Sequence, residues 1–341
     1  MKPSRGNGFN RLSIATRQIG RSLVELMVAL LLGAMVAVGA AALYLTHRQS
    51  YMVVEGLSRL AENERLAVEL LSREIREAGV TPCSGLPAPS TRGGNFVPAT
   101  PTSNAWAQWN QGLTGKVFAT GSPAISAPNG STAQLAGTHS LLVWSTGGAG
   151  KPIKLGGHNV GQARFTTLTS SGYRQGDVVV ACDGGQLLTV QLSDNSTATT
   201  VPYFPDAAIT AVSAGGFLSP LLTHIWYIGK TGVGDPATAL RRLTIQKDGT
   251  TRSNDEIVRD VSDMQISYLE SNPANLFNVR PITQQYVDAA AVVNWAMVIA
   301  VRITLTLSTS DAVGHTGMSS TKIVHPITFT VALPSRLGSG P

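Results

Sequence analysis

Residues 20–45 read GRSLVELMVALLLGAMVAVGAAALYL, and this stretch organises the whole 341-residue chain. The run from Leu26 to Leu45 carries no charge. At about 1.5 Å of helix rise per residue it spans about 30 Å, the thickness of a bilayer's hydrocarbon core. Before it stand Lys2, Arg5, Arg11 and Arg17 and no acidic residue, a bias that keeps the N-terminus in the cytoplasm and turns the rest of the chain outward. Glu25 sits at the lip of the run, where a carboxylate costs a few kcal/mol in lipid and calls for a partner.

A secretory signal has a basic region, a shorter apolar core and then a small-residue cleavage site. Here the cleavage candidate, Gly20-Arg21, precedes the apolar run, so cutting there removes the basic leader and keeps the helix. At these residues the chain resembles the type IV prepilins, whose leader ends in Gly and whose fifth mature residue is Glu. Gly20 and Glu25 match position for position, and Leu23-Val24-Glu25-Leu26 reads like that family's core. Arg21 departs from it, since the family usually has Phe there; this puts N-methylation of the new amine in doubt more than cleavage. The competing reading is a plain signal anchor, which needs the leader, Gly20, Glu25 and the span to coincide.

The formal charge of +6 falls to +2 once the four leader cations are removed, too little to argue for nucleic acid on charge. Charged residues make up 13% of the chain, and the abundance of Gly, Ser, Thr and Ala favours β-structure with long polar loops. The two cysteines, Cys83 and Cys182, lie outside any CxxC or Cys/His spacing. Outside the cytoplasm a single disulfide is the natural assignment, with two buried thiols as the alternative.

Helical periodicity continues beyond the membrane run. Leu57, Leu60, Ala61, Val68, Leu71, Ile75 and Ala78 recur at three- and four-residue steps, with Arg59, Glu62, Asn63, Glu69, Arg73 and Arg76 opposite. Gly79 and Thr81-Pro82 predict the stop, and Gly33, Gly39 and Gly56 are candidate bends. From Cys83 to about Gly137 no period persists, which predicts long loops with one or two short elements and with Trp106, Trp109 and Phe118 packed.

Strand signals follow at 140–145, 177–182, 186–192, 223–228, 240–246 and 265–270, with turns at Asp183-Gly184-Gly185 and Lys247-Asp248-Gly249. Near the end Ile299, Val301, Ile303, Leu305 and Leu307 alternate with polar residues, as do Ile327, Phe329, Val331 and Leu333. The fold class expected is α+β and pilin-like: a long N-terminal helix whose apolar stripe covers a mostly antiparallel β-sheet head. The expected organisation is a leader over 1–20, a membrane or filament-core helix over 21–45, its amphipathic continuation over 46–79, and a β-rich head over 80–341.

The downstream order narrows the resemblance. Ile225-Trp226-Tyr227-Ile228, Leu240-Arg241-Arg242, Val261 to Tyr268, Trp295 ahead of Val301-Arg302-Ile303, and Phe329-Thr330-Val331 look like the PilW-type minor pilins. The resemblance implies prepilin-peptidase processing, filament entry with Glu25 paired to a neighbouring subunit's N-terminal amine, and a priming or tip complex with other minor pilins, the major pilin and a tip adhesin. It implies an inner-membrane protein with a periplasmic head that then joins the pilus. Type II secretion pseudopilins share the same N-terminus and form the nearest alternative.

Catalytic signatures are weak. Gly147-Gly148-Ala149-Gly150-Lys151 runs into Pro152 and fails as a P-loop, and Gly232-Val233-Gly234 runs into Asp235-Pro236, which blocks a Rossmann helix. Histidines 47, 139, 158, 224, 315 and 325 are dispersed, and Asp183, Asp194 and Asp248 fall in turn contexts, where a calcium site is the remote alternative. The reading is therefore no enzyme, no cofactor and no metal, with a membrane-anchored enzyme or a DNA- or surface-binding module as the other function classes.

Overall fold

The computed structural model describes residues 22–83, 95–97, 112–117, 134–146, 152–205, 209–232, 237–245, 252–271, 285–309 and 322–334. The chain divides into two compact units, Met1–Val54 and Glu55–Pro341. Helix α1, Leu23–Glu77, contributes to both. Gly33, Gly39 and Gly56 lie inside it, and the helix ends where the sequence places its stop. Gly79 takes a left-handed φ of 68° that favours glycine, and its N–H donates to the Trp144 carbonyl at 2.8 Å. The end of the helix is thus bonded to the sheet.

The second unit holds three sheets. The five-stranded sheet runs β12 (Arg252–Arg259), β11 (Thr238–Ile245), β10 (Leu222–Lys230), β3 (His139–Ser145), β2 (Leu113–Val117). The four-stranded sheet runs β14 (Val287–Asp288), β13 (Val261–Glu270), β15 (Val298–Ser308), β16 (Val324–Ala332). The seven-stranded sheet runs β1 (Asn95–Val97), β7 (Leu187–Gln191), β6 (Val178–Cys182), β9 (Phe217–Pro220), β4 (Ile153–Asn159), β5 (Arg164–Thr167), β8 (Thr200–Pro202). The named pairings are antiparallel except β1 with β7.

One core joins the helix to two sheets. Leu60, Ala67, Leu71, Ile75 and Ala78 pack with Leu141, Val143, Trp226, Met264, Val301, Ile303, Leu305 and Val331. Burying Leu60, Leu71 and Ile75 contributes about 5 to 9 kcal/mol as an upper bound. A second core lies on the other side of β3 and β10, where Leu142, Trp144, Ile225 and Tyr227 meet Val178, Val180 and Cys182. Strand β3 is buried along its whole length, so Ser140–Ser145 reads as a near-continuous apolar run because both of its faces are covered. A third core, with Phe165, Val179, Val190 and Tyr203, fills the far face of the seven-stranded sheet.

The α+β class and the mostly antiparallel head are as expected, and the head divides into three sheets, because the strands at 140–145, 178–182 and 187–191 bury both faces and each needs another layer. One expectation is corrected: of the stripe on α1, Leu60, Leu71, Ile75 and Ala78 are buried, but Leu57 and Ala61 are exposed, while Ala67 and Glu74 are buried in addition. A chain that buries a glutamate there must pair it. Strands β4, β5, β9 and β12 were not read from sequence. The expected residues Gly20, Arg21, Trp106, Trp109, Phe118 and His315, and the turn 247–249, lie outside the described residues.

Gly115 of β2 faces the Tyr268 ring, and a Cβ there would overlap the phenol hydroxyl. Tyr268 is fully buried, edge-on to Trp295 with centroids 4.8 Å apart, and its hydroxyl has no hydrogen-bond partner among the described residues. Gly115→Ala is expected to destabilise the head by about 1 to 3 kcal/mol through overpacking. Tyr268→Phe, which removes an unsatisfied polar atom, is expected to be neutral or stabilising. Thermal unfolding of both variants checks this pair of signs.

Candidate functional site

The first candidate is the apolar start of α1. From Leu23 to Leu45 every residue is exposed, with Leu23 at 75%, Val36 at 73% and Tyr44 at 67%. Its uncharged part, Leu26–Leu45, is long and apolar enough to cross a membrane, and water is a poor solvent for it. Ser22 precedes the helix, and its carbonyl accepts the N–H groups of Glu25 (2.9 Å) and Leu26 (3.2 Å). Glu25 therefore stands in the first turn, where the helix's positive end favours an anion. No described side chain partners it.

The second feature is covalent. Cys83, six residues after the helix, and Cys182, at the end of β6, form a disulfide with an S–S distance of 2.11 Å and Cα atoms 6.0 Å apart. The reading of two separate thiols is thereby removed. Closing a loop of 99 residues contributes about 4 to 5 kcal/mol in the chain-entropy model. Asp183 follows directly in the β6–β7 hairpin turn. Its carboxylate accepts the backbone N–H groups of Gly185 (3.0 Å), Gln186 (2.8 Å) and Ser213 (2.7 Å). Burial pushes its pKa up, but the N–H groups of Ser213 and Gly185, then the Ser213 hydroxyl and Gln186, outweigh this and hold it below the ordinary value. Such a carboxylate is already satisfied by its own turn, as Asp194 is by the N–H of Asn195. Among the described residues no group of three or more His, Cys, Asp or Glu could hold a metal ion.

The third feature was missed in the sequence. Glu74, 5% exposed, projects from α1 onto the five-stranded sheet. Its Oε2 accepts from Trp226 Nε1 at 2.6 Å and from His224 Nδ1 at 3.0 Å, and its Oε1 accepts from Arg242 Nη1 at 3.0 Å. Arg242 also lies over the Trp226 ring, 5.8 Å from its centroid. Burial pushes the Glu74 carboxyl up. The His224 hydrogen bond and charge, with Trp226 and Arg242, outweigh burial and hold it below the ordinary glutamate value. The signal was present in the spacing, because Ala67, Leu71, Glu74 and Ala78 step by four, three and four along one face.

Two further histidines, His158 and His139, have structural duties. His158 Nδ1 accepts the N–H of Val212, so its Nε2 carries the proton and faces the Tyr203 hydroxyl at 2.6 Å. Burial lowers the His158 pKa, which keeps the ring neutral against Phe165 at 4.4 Å. His139 Nδ1 accepts the N–H of Ile266 and ties β3 to β13. Of the site residues expected from sequence, Cys83 and Cys182 meet in the second unit, Glu25 belongs to the first, and Gly20 and Arg21 lie outside the described residues.

With that geometry in place, similarity to known proteins falls on the head. The family model for the Type IV Pilus-assembly protein W matches residues 225–334, which is β10 to the end of β16. The resemblance read from Trp226, Arg242, Tyr268, Trp295 and Thr330 holds over this stretch. No curated protein matches the chain. No solved structure matches it either.

Removing the Glu74 carboxylate leaves the buried Trp226 N–H and the His224 ring without their acceptor and half-buried Arg242 with Asp255 alone among the described residues, which costs about 2 to 4 kcal/mol. Glu74→Ala is therefore expected to lower the unfolding free energy by that order. Because the folded carboxyl titrates below its ordinary value of 4.5, its contribution is present above that pH and is lost as pH falls through the depressed value. Unfolding measured between pH 6 and pH 3 is expected to show this acid loss in the parent and a flatter profile in Glu74→Gln. A parallel profile would remove Glu74 from the acid response.

Proposed function

We propose that this chain is a minor pilin of a type IV pilus, cleaved by prepilin peptidase after Gly20 and assembled into a priming or tip complex. The observation that carries the reading is the pilus-assembly family match over 225–334 on a chain with an exposed apolar helix from Leu23, ahead of which the sequence pattern around Gly20 resembles a prepilin leader. The match favours a pilus over a type II secretion pseudopilin, because the N-terminal pattern is shared by both and the head is not.

The mechanism follows from the cost of two groups. The apolar face of α1 is stable in lipid and equally stable against other apolar helices, so transfer into a filament core exchanges like for like. Glu25 breaks that balance. A carboxylate at the membrane lip gains on leaving lipid if a subunit's N-terminal amine awaits it, which fixes the axial register of the incoming helix. The head, held outside the membrane, provides the contacts to other minor pilins, the major pilin and a tip adhesin. Its role is structural, with no catalytic step.

Intact mass and N-terminal sequencing of the chain from membrane and sheared-filament fractions tests this. The expected result is a chain beginning at Arg21, oxidised at Cys83–Cys182, in both fractions. Gly20→Ala is expected to retain the leader and stay in the membrane. Glu25→Ala is expected to insert normally but to fall by more than about tenfold in the filament fraction, given a charge-pair term of about 2 kcal/mol. A chain that keeps Met1 and never enters the filament fraction would sink the reading.

A further inference from the structure

Strand β16 ends the four-stranded sheet and pairs on one side only, with β15, over nine residues without a bulge. The register decides which backbone groups are left over. At the two ends of the ladder the Thr309 N–H donates to the Ile323 carbonyl and the Leu333 N–H to the Ile299 carbonyl. Antiparallel hydrogen bonding alternates by residue, so 325, 327, 329 and 331 turn their N–H and C=O toward β15. Val324, Pro326, Thr328, Thr330 and Ala332 turn theirs away. Pro326 fits this phase, because a residue with no N–H is tolerated only on the outward side of an edge strand. So do the Thr304 and Thr328 hydroxyls, 2.9 Å apart as in a non-hydrogen-bonded pair.

Other sheet edges among the described residues are short or charged. Strand β12 carries Arg252, Asp255, Glu256 and Arg259; β2 is five residues long and carries Lys116; β14 has two residues, and β1 and β8 have three each. Strand β16 has nine residues, VHPITFTVA, with no Lys, Arg, Asp or Glu. A long, straight, uncharged edge rich in β-branched residues pairs with another strand unless it is blocked. Among the described residues the only block is Pro326, near the start. Beyond it Thr328, Thr330 and Ala332 are exposed, and Phe329 is left half-buried at the rim of the core.

We propose that the outer edge of β16, from Thr328 to Ala332, receives an extended strand of a different pilus component, which becomes the fifth strand of this sheet. This rests on the pilus-assembly reading. The arriving segment hydrogen-bonds to the outward N–H and C=O groups and lays an apolar side chain over Phe329, with small or polar residues beside Thr328 and Thr330. A second copy fits less well. Antiparallel pairing of two β16 edges is a rotation about the sheet normal, which reverses one α1 against the other. Two chains anchored by that helix in one membrane share a direction. Parallel pairing would turn the second sheet over and leave Phe329 against a threonine face.

The test uses the full-length chain in cells. Thr330→Pro removes only an outward N–H, as Pro326 already does in the same strand, and Thr330→Lys defends the edge while keeping the backbone intact. Thr304→Lys, on the same sheet face but one strand in, is the control. The expected result is that both Thr330 variants keep the mature mass, the disulfide and the parent unfolding midpoint, yet fall at least tenfold in the sheared-filament fraction and in recovery with other pilus subunits. Thr304→Lys keeps the parent level. If Thr330→Pro fails to fold, Thr330→Lys alone decides. Parent-level recovery of a folded Thr330 variant overturns the edge while leaving the pilin reading intact, and a parent chain absent from filaments overturns both. A homodimer of the parent, lost in Thr330→Lys, would replace the foreign strand with a second copy.

Discussion

Glu74 carries its charge where a charge is costly, and the cost is met only if one helix and one sheet meet in a single register. The carboxylate must face Trp226, His224 and Arg242 at once, and these stand on neighbouring strands β10 and β11. Apolar contact alone would let the stripe of Leu60, Ala67, Leu71 and Ile75 slide or turn against the sheet, since hydrophobic burial has no direction. Hydrogen bonds to both carboxylate oxygens do have one. A helix turned out of register would leave a buried carboxylate without its donors and the buried Trp226 N–H without its acceptor, a penalty of several kcal/mol. The layers beyond depend on this contact, because β3 and β10 receive the helix on one face and the second core on the other.

The parts of the fold legible in sequence were those with a simple period or a fixed turn. The membrane-length run, the stop at Gly79, the hairpin at Asp183 and the alternation of β15 and β16 were all readable. The stripe of α1 was read at Leu60, Leu71, Ile75 and Ala78 but without Ala67 and Glu74; Glu74 was placed on neither face, although its spacing from Ala67 and Leu71 puts it on the buried one. A single sequence does not reveal that a glutamate's partners lie about 150 residues away. Strands β4, β5 and β9 escaped because they are short, interrupted by Gly156 and Gly157 or ended by Pro220, and held mainly by their neighbours.

The site was legible to a different degree. The cysteine pair could be named from count and compartment, and the Cys83–Cys182 bond bears it out; the offset of Glu25 is a local pattern whose role belongs to the proposal. The edge of β16 could not be named as such. Its alternation is plain in the letters, but whether a strand lies inside a sheet or at its border is a fact of topology. Pro326 is the one letter that hints at the border, and it carries that meaning only once the hydrogen-bonding phase is known.

The Cys83–Cys182 bond has a mechanical consequence. A pull along α1 reaches its end at Glu77 and, six residues later, arrives at a covalent branch point. From there tension passes straight into the end of β6. The 99-residue separation between the two cysteines is shunted out of the force path. Without the bond that segment could pay out about 330 Å of contour length under load. With it, the chain between helix and sheet stays short at any tension the bond survives, and force applied along α1 is felt by the sheets at once.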